Sequence, residues 1–190
     1  MSLAVYLVVT FGFAAAAVLT RDRAPWSVIA GIGGLLAATI AAIAIDPGEA
    51  VAMGGGELAT TAYLRLFLIL GSAVGIGLAV TGLAGRTHRA LPAVTLVTLG
   101  FAALTLGLAD QRAAVLAGTA GGVCGAVLAV RPGGDRAGAT VAICDLRAVV
   151  VAGALALAAT AWMGRDLQRL DASPVVFGLA YLAVALAVAI

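Results

Sequence analysis

The stretch Tyr63–Val80 has the sequence YLRLFLILGSAVGIGLAV, and apart from Arg65 every residue in it is apolar or small. A helix of about 20 apolar residues crosses the roughly 30 Å hydrocarbon layer of a bilayer, and about 17 residues are enough. The stretch therefore predicts a transmembrane helix. Arg65 lies near its start, where a long side chain can reach the water interface while its stem stays in lipid. We interpret Arg65 as an anchor at the membrane edge, with a role in a charge pathway as the alternative.

The rest of the chain has the same apolar character. Hydrophobic residues make up 63% of its 190 residues and charged residues 11%, against about 45–50% and about 25% in soluble domains. A core of this size cannot bury that much apolar surface, so a bilayer must solvate it. The net charge of +2 is too small to indicate nucleic-acid binding, and the sequence has no basic stripe with interleaved aromatic residues.

Seven apolar segments, separated by charged or Pro/Gly-rich breaks, predict about seven membrane helices. Helices are expected because lipid offers no partners for backbone N–H and C=O groups. The predicted fold class is all-α, with one polytopic transmembrane helical bundle over residues 1–190. The approximate bounds of the segments are Leu3–Thr20, Trp26–Ile45, Leu64–Ala84, Ala90–Ala109, Ala113–Val130, Ala148–Met163 and Pro174–Ile190.

The arginines of the connecting segments are unevenly distributed. The connections after predicted helices one, three and five carry seven arginines, and those after helices two, four and six carry four. Cytoplasmic loops of membrane proteins carry the excess of basic residues. This bias predicts a protein that is integral to the cytoplasmic (inner) membrane and has its N-terminus outside.

Two connections are long enough to be more than turns. They are DPGEAVAMGGGEL, Asp46–Leu58, and RPGGDRAGATVAICDLR, Arg131–Arg147. Both contain turn residues and are predicted to be surface loops. The glycine run at 54–56 lacks the lysine and the strand-to-helix context of a phosphate-binding loop, so we predict no nucleotide site.

Ionisable groups at membrane depth are functional candidates, because burying them in lipid is costly. In this sequence the acidic and basic residues fall at segment ends or in the connections. Arg65, Glu57 and Asp110 are the candidate ion-pathway or interface charges. Asp110 forms a short polar turn with Arg112, for which a structural role is the alternative. His88 lies close to two arginines, whose charge disfavours its protonation, so it is a poor candidate for a proton carrier.

The sequence contains no nucleophile–base pair and no metal-ligand or cofactor motif, so we predict no catalytic residue, no metal and no cofactor. Cys124 and Cys144 lack CxxC spacing and are expected to be ordinary thiols. Helical hydroxyl groups such as Ser72 are expected to bond their own backbone. Glycines four residues apart, at 71/75, 118/122 and 121/125, are expected to let helices pack closely.

From Trp26 to Val130 the order of features resembles a known family. An apolar helix is followed by DPGEAVAMGGGEL, then by TTAYLRLFLILGSAVGIGLAVTGLAG, a small-residue helix and the turn at Asp110. This order is similar to the N-terminal part of the antiporter-like, proton-conducting subunits of NADH–quinone oxidoreductase (complex I) and of multisubunit cation/proton antiporters. The resemblance implies a non-catalytic membrane subunit of the respiratory chain that contributes scaffold helices and part of a proton channel. Other membrane subunits would be its partners.

Two departures from that family bear on the implied activity. Its members carry a glutamate in the helix after the aspartate turn, where this chain has AGTAG at Ala117–Gly121. They also carry a lysine in the seventh helix, and this chain contains no lysine. We therefore do not expect the chain to conduct protons by itself. Its last segment ends in mid-apolar phase at Ile190, so we expect an N-terminal fragment of a longer protein, with a complete seven-helix protein as the alternative.

Two functions of other classes fit the same residues. One is a structural or assembly membrane protein without transport activity, packed through its small-residue faces. The other is a small-solute transporter. Transporters often have helices interrupted near the middle of the membrane, and Gly71–Gly77 is where such an interruption would be expected.

Overall fold

The computed structural model describes residues 1–20, 23–53, 56–84, 91–129 and 136–163. Helices make up 84% of these residues, which places the protein in the all-α class, as predicted. The seventh apolar segment, Pro174–Ile190, lies outside the described residues. The helices in the described part are α1 (Leu3–Leu19), α2 (Ala24–Ile43), α3 (Ala62–Ala84), α4 (Leu91–Gly107), α5 (Gln111–Ala129) and α6 (Arg136–Met163).

Several of these helices approach or reach the length of a membrane crossing. Among the described residues, Trp26–Ile43 of α2 and Ala62–Thr81 of α3 are long and apolar enough to cross a bilayer. The apolar helices α1 and α4 have 17 residues each, or about 25 Å at 1.5 Å per residue. Two helices thus meet the criterion of length and hydropathy, and two others are slightly too short for it.

The starts of α2 and α3 follow from local sequence. Pro25 lies in the first turn of α2, where its missing N–H removes nothing because first-turn N–H groups have no partner within the helix. Thr61 precedes α3, and its Oγ1 accepts a hydrogen bond from the N–H of Leu64 at 3.1 Å. A threonine at this position satisfies one of the N–H groups that the helix leaves free.

The chain divides into two compact units, Met1–Ala109 and Asp110–Ile190. In the first unit α1 and α3 each pack against both α2 and α4, which gives a four-helix bundle. Phe11 on α1 and Phe101 on α4 meet edge to face, with ring centroids 5.1 Å apart. The helices α2 and α4 also touch, because a Cβ at Gly31 would lie 2.5 Å from Pro92 Cβ.

The prediction that Asp46–Leu58 is a surface loop with turn residues missed two β-strands. This segment contains most of an antiparallel hairpin of β1 (Ala50–Met53) and β2 (Gly56–Ala59), in which Met53 pairs with Gly56. Only two residues, both glycines, separate the strands in sequence, and a two-residue glycine connection is typical of a tight hairpin. The glycines indicate a loop in the sequence, and the short strands on either side give no comparable signal.

The hairpin covers one end of the bundle, and we call it the hairpin cap (β1, β2 and the residues 45–49 before them). Leu58 is 1% exposed and forms an isolated bridge with Leu108. A Cβ at Gly107 would lie 2.5 Å from Leu3 Cδ2 and 3.5 Å from Leu58 Cδ2. At this end α1 and α3 therefore begin and α2 and α4 end, which matches the alternating helix directions that the sequence predicts.

The prediction that Arg131–Arg147 is a loop was also wrong for the stretch Arg136–Arg147. These residues form the first part of α6, which has 28 residues. The predicted helix began at Ala148, directly after the charged residue Arg147, because charged residues mark the ends of membrane segments. Charged side chains do not end a helix when they reach water, and both Asp145 and Arg147 are exposed.

Close packing through glycines is confirmed for the pair on α3. A Cβ at Gly71 would lie 2.7 Å from Leu99 Cδ2, and a Cβ at Gly75 would lie 2.7 Å from Thr95 Cγ2. The absent side chains thus let α4 approach α3. The helix continues without a break from Ala62 to Ala84, so the interruption expected for a transporter is not found in α3.

The second unit contains the helix pair α5 and α6, which also pack through glycines. A Cβ at Gly122 would lie 2.6 Å from Val149 Cγ1, and a Cβ at Gly153 would overlap the side chain of Thr119. Thr119 of α5 thus meets Gly153 of α6, and Gly122, further along α5, meets Val149, which comes earlier in α6. The two helices therefore run antiparallel.

Candidate functional site

The outward-facing side chains of the four-helix bundle are large and apolar. Val8 on α1 is 72% exposed, Ile40 on α2 is 69% exposed and Leu70 on α3 is 57% exposed. Single exposed apolar residues are normal on a water-soluble protein, but large contiguous patches mark a contact with lipid or with another protein. Further members of this apolar surface are Val5, Leu19, Trp26, Ile29, Leu36, Ile43, Leu66, Phe67, Val74 and Leu78.

The interior of the same bundle contains hydroxyl groups that donate hydrogen bonds to backbone carbonyl oxygens. Thr10 Oγ1 donates to Tyr6 O at 2.9 Å, and Ser72 Oγ donates to Leu68 O at 2.7 Å. The predicted bonding of helical hydroxyls to their own backbone is confirmed for Ser72, and Thr95, Thr98 and Thr119 behave in the same way. Ser27 differs, because its Oγ donates to a carbonyl oxygen of the neighbouring helix α1.

Tyr6 is the largest of the fully buried side chains in the described part of the chain. Its hydroxyl is buried and has no hydrogen-bond partner among the described residues. Tyr6 was not among the candidates predicted from the sequence. Those candidates were charged residues, whereas Tyr6 is a neutral polar residue a few positions inside α1.

The hairpin cap is held by hydrogen bonds to the side chain and backbone of Thr60. Thr60 Oγ1 contacts both Asp46 O, at 3.1 Å, and Glu49 O, at 2.5 Å. The N–H of Gly48 donates to Thr60 O at 2.8 Å. Gly48 has a φ of 93°, a backbone conformation that glycine adopts without the steric penalty of a Cβ.

Arg65 connects α3 to the end of α2. Its Nη2 donates to the carbonyl oxygen of Ile43, the last residue of α2, at 2.6 Å. The last carbonyls of a helix lack partners within the helix and carry partial negative charge, so a guanidinium group is favourable there. Arg65 thus lies at the start of α3, where the sequence analysis expected an anchor, and it caps the neighbouring helix.

Glu57 and Asp110 also occupy structural positions, and neither forms an ion pair with another described residue. The Glu57 side chain is exposed, and its backbone oxygen accepts a hydrogen bond from the N–H of Ala109 at 3.0 Å. Asp110 precedes α5, and its Oδ1 accepts from the N–H of Arg112 at 2.9 Å. This is the geometry of a helix N-cap, which agrees with the structural alternative for Asp110.

Asp46 is the charged residue of the hairpin cap whose pKa is shifted by its surroundings. The amino group of Met1 lies 2.7 Å from Asp46 Oδ2. This contact lowers the pKa of the Asp46 carboxyl below its usual range, and the charge of Arg65 adds to the effect. The pair is exposed, with 79% of the Asp46 side chain accessible, so its contribution to stability is small.

The lowered pKa of Asp46 leads to a prediction about pH dependence. The ionised carboxylate stabilises the fold above the pKa of the unfolded state, about 3.9. That contribution is lost as the pH falls through the lower pKa of the folded state. We expect Asp46→Asn to remove this part of the acid dependence of the free energy of unfolding, measured in detergent micelles from about pH 2 to about pH 7.

Acetylation of the Met1 amino group is the matched control for this prediction. It removes the positive charge and keeps the carboxylate, so it should abolish the same part of the pH dependence as Asp46→Asn. An acid dependence that survives both changes would show that Asp46 does not contribute to it.

Neither metal-ligand nor thiol chemistry is indicated in the part of the chain that the structure describes. Among these residues, no group of three His, Cys, Asp or Glu side chains could hold a metal ion. Cys124 is half-buried, Cys144 is exposed and both are free thiols. His88 lies outside the described residues.

Comparison with known proteins gives no match to a family model, to a curated protein or to a solved structure. The resemblance to the antiporter-like subunits therefore stays a prediction from the sequence.

Proposed function

We propose that this protein is an integral membrane protein that serves as a scaffold subunit of a larger assembly in the cytoplasmic membrane. The observation that carries the proposal is the distribution of side chains in the first unit. Large apolar residues such as Val8, Ile40 and Leu70 face outward, whereas Thr10 and Ser72 are buried inside. This arrangement fits a bilayer as the surrounding solvent, because apolar side chains are then in favourable contact with lipid. The backbone polar groups are hydrogen-bonded within the helices, as lipid requires.

The lengths of the helices and the positions of the charges support the same proposal. Two helices meet the length and hydropathy of a membrane crossing, and Glu57 and Arg65 lie at the hairpin end of the bundle. Helix α6, at about 42 Å, is longer than the roughly 30 Å hydrocarbon layer. The part of α6 after Arg147 spans about 24 Å, so Asp145 and Arg147 would lie close to one edge of the layer. A bundle of about seven helices would include the apolar segment Pro174–Ile190.

The proposed orientation places the hairpin cap outside the cell. The cap carries Asp46, Glu49 and Glu57, whereas the sequences that join α1 to α2 and α3 to α4 contain four arginines. Basic connections stay in the cytoplasm during membrane insertion. The N-terminus would therefore be outside.

The scaffold role is the part of the antiporter-like family's function that these residues support. Close contacts at Gly71, Gly75 and Gly122 are typical of helices that pack tightly in lipid. In the resembling family protons move past buried charged groups, and the candidate charges of this chain lie at helix ends. We propose that the chain forms helices of a channel wall next to partner subunits and does not conduct protons alone.

Thiol labelling tests the membrane part of this proposal. In a background with Cys124→Ala and Cys144→Ala, single variants Leu36→Cys and Glu57→Cys receive a membrane-impermeant maleimide in sealed cells or inside-out vesicles. We expect Glu57→Cys to be labelled from outside and Leu36→Cys to be labelled only after the membrane is dissolved and the protein unfolded. Free labelling of Leu36→Cys in washed membranes, or extraction of the protein by alkaline carbonate, would contradict a membrane location.

Native electrophoresis and reconstitution test the scaffold part. After extraction in a mild detergent, the protein should migrate within an assembly much larger than its own 18.6 kDa. Vesicles that contain the purified protein alone should show the same proton flux as empty vesicles. Migration as a small homo-oligomer would instead favour a structural protein without subunit partners, and steady proton flux would contradict the scaffold role.

A further inference from the structure

On the basis of the proposed membrane location, we infer that the four-helix bundle fits a bilayer whose hydrocarbon layer is about 25 Å thick. An average hydrocarbon layer measures roughly 30 Å, so the lipid that suits this bundle is thinner than average. The observations that carry this concern the polar groups at the two ends of the bundle and the length of helix between them.

The guanidinium group of Arg65 marks one edge of the layer. Its Nη2 donates to the carbonyl oxygen of Ile43 at 2.6 Å, and an arginine near the end of a membrane helix keeps its charge at the interface. The end of α2 is therefore at this edge. Tyr63 lies two residues before Arg65 and is 86% exposed. Tyrosine and tryptophan are enriched at both interfaces of a membrane.

Trp26 marks the opposite edge. It lies in the first turn of α2, three residues after Arg23, and is 60% exposed. The part of α2 that is long and apolar enough to cross a bilayer begins at Trp26 and ends at Ile43, which is a rise of about 25 Å. The two edges are therefore about 25 Å apart along α2. A tilt of the helix would make the layer thinner still.

The other three helices of the bundle have apolar lengths of similar size. Helices α1 and α4 contain 17 residues each, or about 25 Å. Helix α3 has 23 residues, but its part after Arg65 rises only about 28 Å. Ser27 Oγ of α2 donates to Ala17 O of α1 at 2.9 Å, which holds the end of α1 level with the start of α2. The short apolar length is thus a property of the whole bundle.

The position of Arg65 makes the bundle sensitive to a thicker layer. Its guanidinium group is bonded to Ile43 O, so it cannot move outward without losing that contact. In a thicker layer the group would be drawn into hydrocarbon, or the lipid beside the bundle would have to thin. Both changes cost free energy. The folded state should therefore be most stable in a layer that matches the bundle.

Reconstitution in vesicles of different thickness tests the inference. The vesicles consist of phosphatidylcholines whose two monounsaturated acyl chains differ in length, with hydrocarbon layers of about 20 to about 35 Å that are checked by X-ray scattering. Circular dichroism measures the Tm of the protein in each. We expect the highest Tm in a layer of about 25 Å and a lower Tm on either side. A Tm that is independent of thickness, or highest at about 30 Å or more, overturns the inference.

The same experiment separates this inference from the proposed function. Failure of the protein to enter any of these vesicles would contradict the membrane location and the inference together. Stable insertion with the highest Tm in the thick layers would contradict the inference alone.

Variants of Arg65 test whether this residue marks the edge. Arg65→Leu extends the apolar part of α3 to all 23 residues, or about 34 Å. We expect it to lower the Tm in the matched layer, because the contact with Ile43 is lost, and to reduce the further decline towards thick layers. Arg65→Lys keeps a charge that reaches the interface and should keep the decline. An unchanged decline in Arg65→Leu would show that Arg65 does not mark the edge.

Thr98→Val is the matched control for an increase in apolar character. Thr98 is exposed near the middle of α4, and its Oγ1 donates to two carbonyls of its own helix, Val94 O and Thr95 O. The change adds apolar surface without lengthening any helix, so the thickness of highest Tm should not move. A shift as large as that of Arg65→Leu would attribute the effect to hydropathy and contradict the role of length.

The depth of Trp26 gives a measurement that does not depend on stability. Trp162→Phe leaves Trp26 as the only tryptophan, since the chain contains two. In the matched vesicles its fluorescence should be quenched more by lipids brominated near the headgroup than by lipids brominated near the chain end. Stronger quenching by the chain-end bromines would place Trp26 deep in the layer and overturn the inferred edge.

Discussion

Replacing Gly34 by leucine is expected to prevent the four-helix bundle from closing. A Cβ at this position would lie 2.6 Å from Phe13 Cβ on α1 and 2.7 Å from Leu96 Cδ1 on α4. Phe13 Cβ is bonded directly to the backbone and cannot move away unless α1 moves. Overpacking of a well-packed core costs about 1–3 kcal/mol and sometimes more. We expect Gly34→Ala to fall in that range and Gly34→Leu to exceed it.

The neighbouring glycine provides the control for this prediction. A Cβ at Gly33 would meet nothing within 4 Å, and alanine is favoured over glycine in a helix by up to about 1 kcal/mol. Gly33→Ala should therefore leave stability unchanged or raise it. Unfolding in mixed micelles, followed by circular dichroism, measures both variants. Equal stability of Gly33→Ala and Gly34→Ala would contradict the proposed contact of three helices at Gly34.

Replacing Leu58 by alanine is expected to detach the hairpin cap from the bundle. Leu58 is 1% exposed and lies beside Gly107, so the change leaves a cavity at the centre of the cap. Substitutions of buried leucine by alanine cost about 2–5 kcal/mol. We expect a loss of free energy of unfolding within this range, together with faster hydrogen exchange of the Ala109 N–H, which donates to Glu57 O.

Glu57→Ala is the control in the same strand. Its side chain is exposed, and the hydrogen bond to Ala109 uses the backbone oxygen that the variant retains. Surface changes of this kind usually stay within about 0.5 kcal/mol. If Leu58→Ala had no larger effect than Glu57→Ala, the cap would contribute nothing to the closed bundle.

The helices were predictable because their signal is local. The predicted segment Leu64–Ala84 differs from α3 by two residues at its start, since hydropathy and length alone determine where such a helix lies. The hairpin was not predictable in this way. Its strands are short, and the pairing of Ala50 with Ala59 depends on a register that glycine-rich sequence does not display. The start of α6 was missed because the prediction ended each helix where charged residues begin, and the first part of α6 contains charged residues.

The site was less predictable than the helices, because its contacts join residues far apart in the chain. The sequence indicated that Arg65 lies at a helix end, but its partner, the Ile43 carbonyl, is 22 residues away. The four-residue spacing of Gly71 and Gly75 is visible in the sequence, whereas nothing in the sequence distinguishes Gly34, whose contacts lie on two other helices. Tyr6 was missed because an uncharged side chain gives no signal of burial until its neighbours are known.

The hairpin cap also determines when the protein can finish folding during its synthesis. Leu58 is covered by Gly107, and Glu57 accepts its hydrogen bond from Ala109, so the cap has no complete binding surface until α4 has left the ribosome. At about 5–20 residues per second, the roughly 50 residues between them take about 3–10 s to translate. Throughout that interval the end of the bundle that the cap covers is incomplete, because α3 and α4 are still being synthesised. We therefore expect the nascent chain to be more susceptible to proteolysis until α4 has been synthesised.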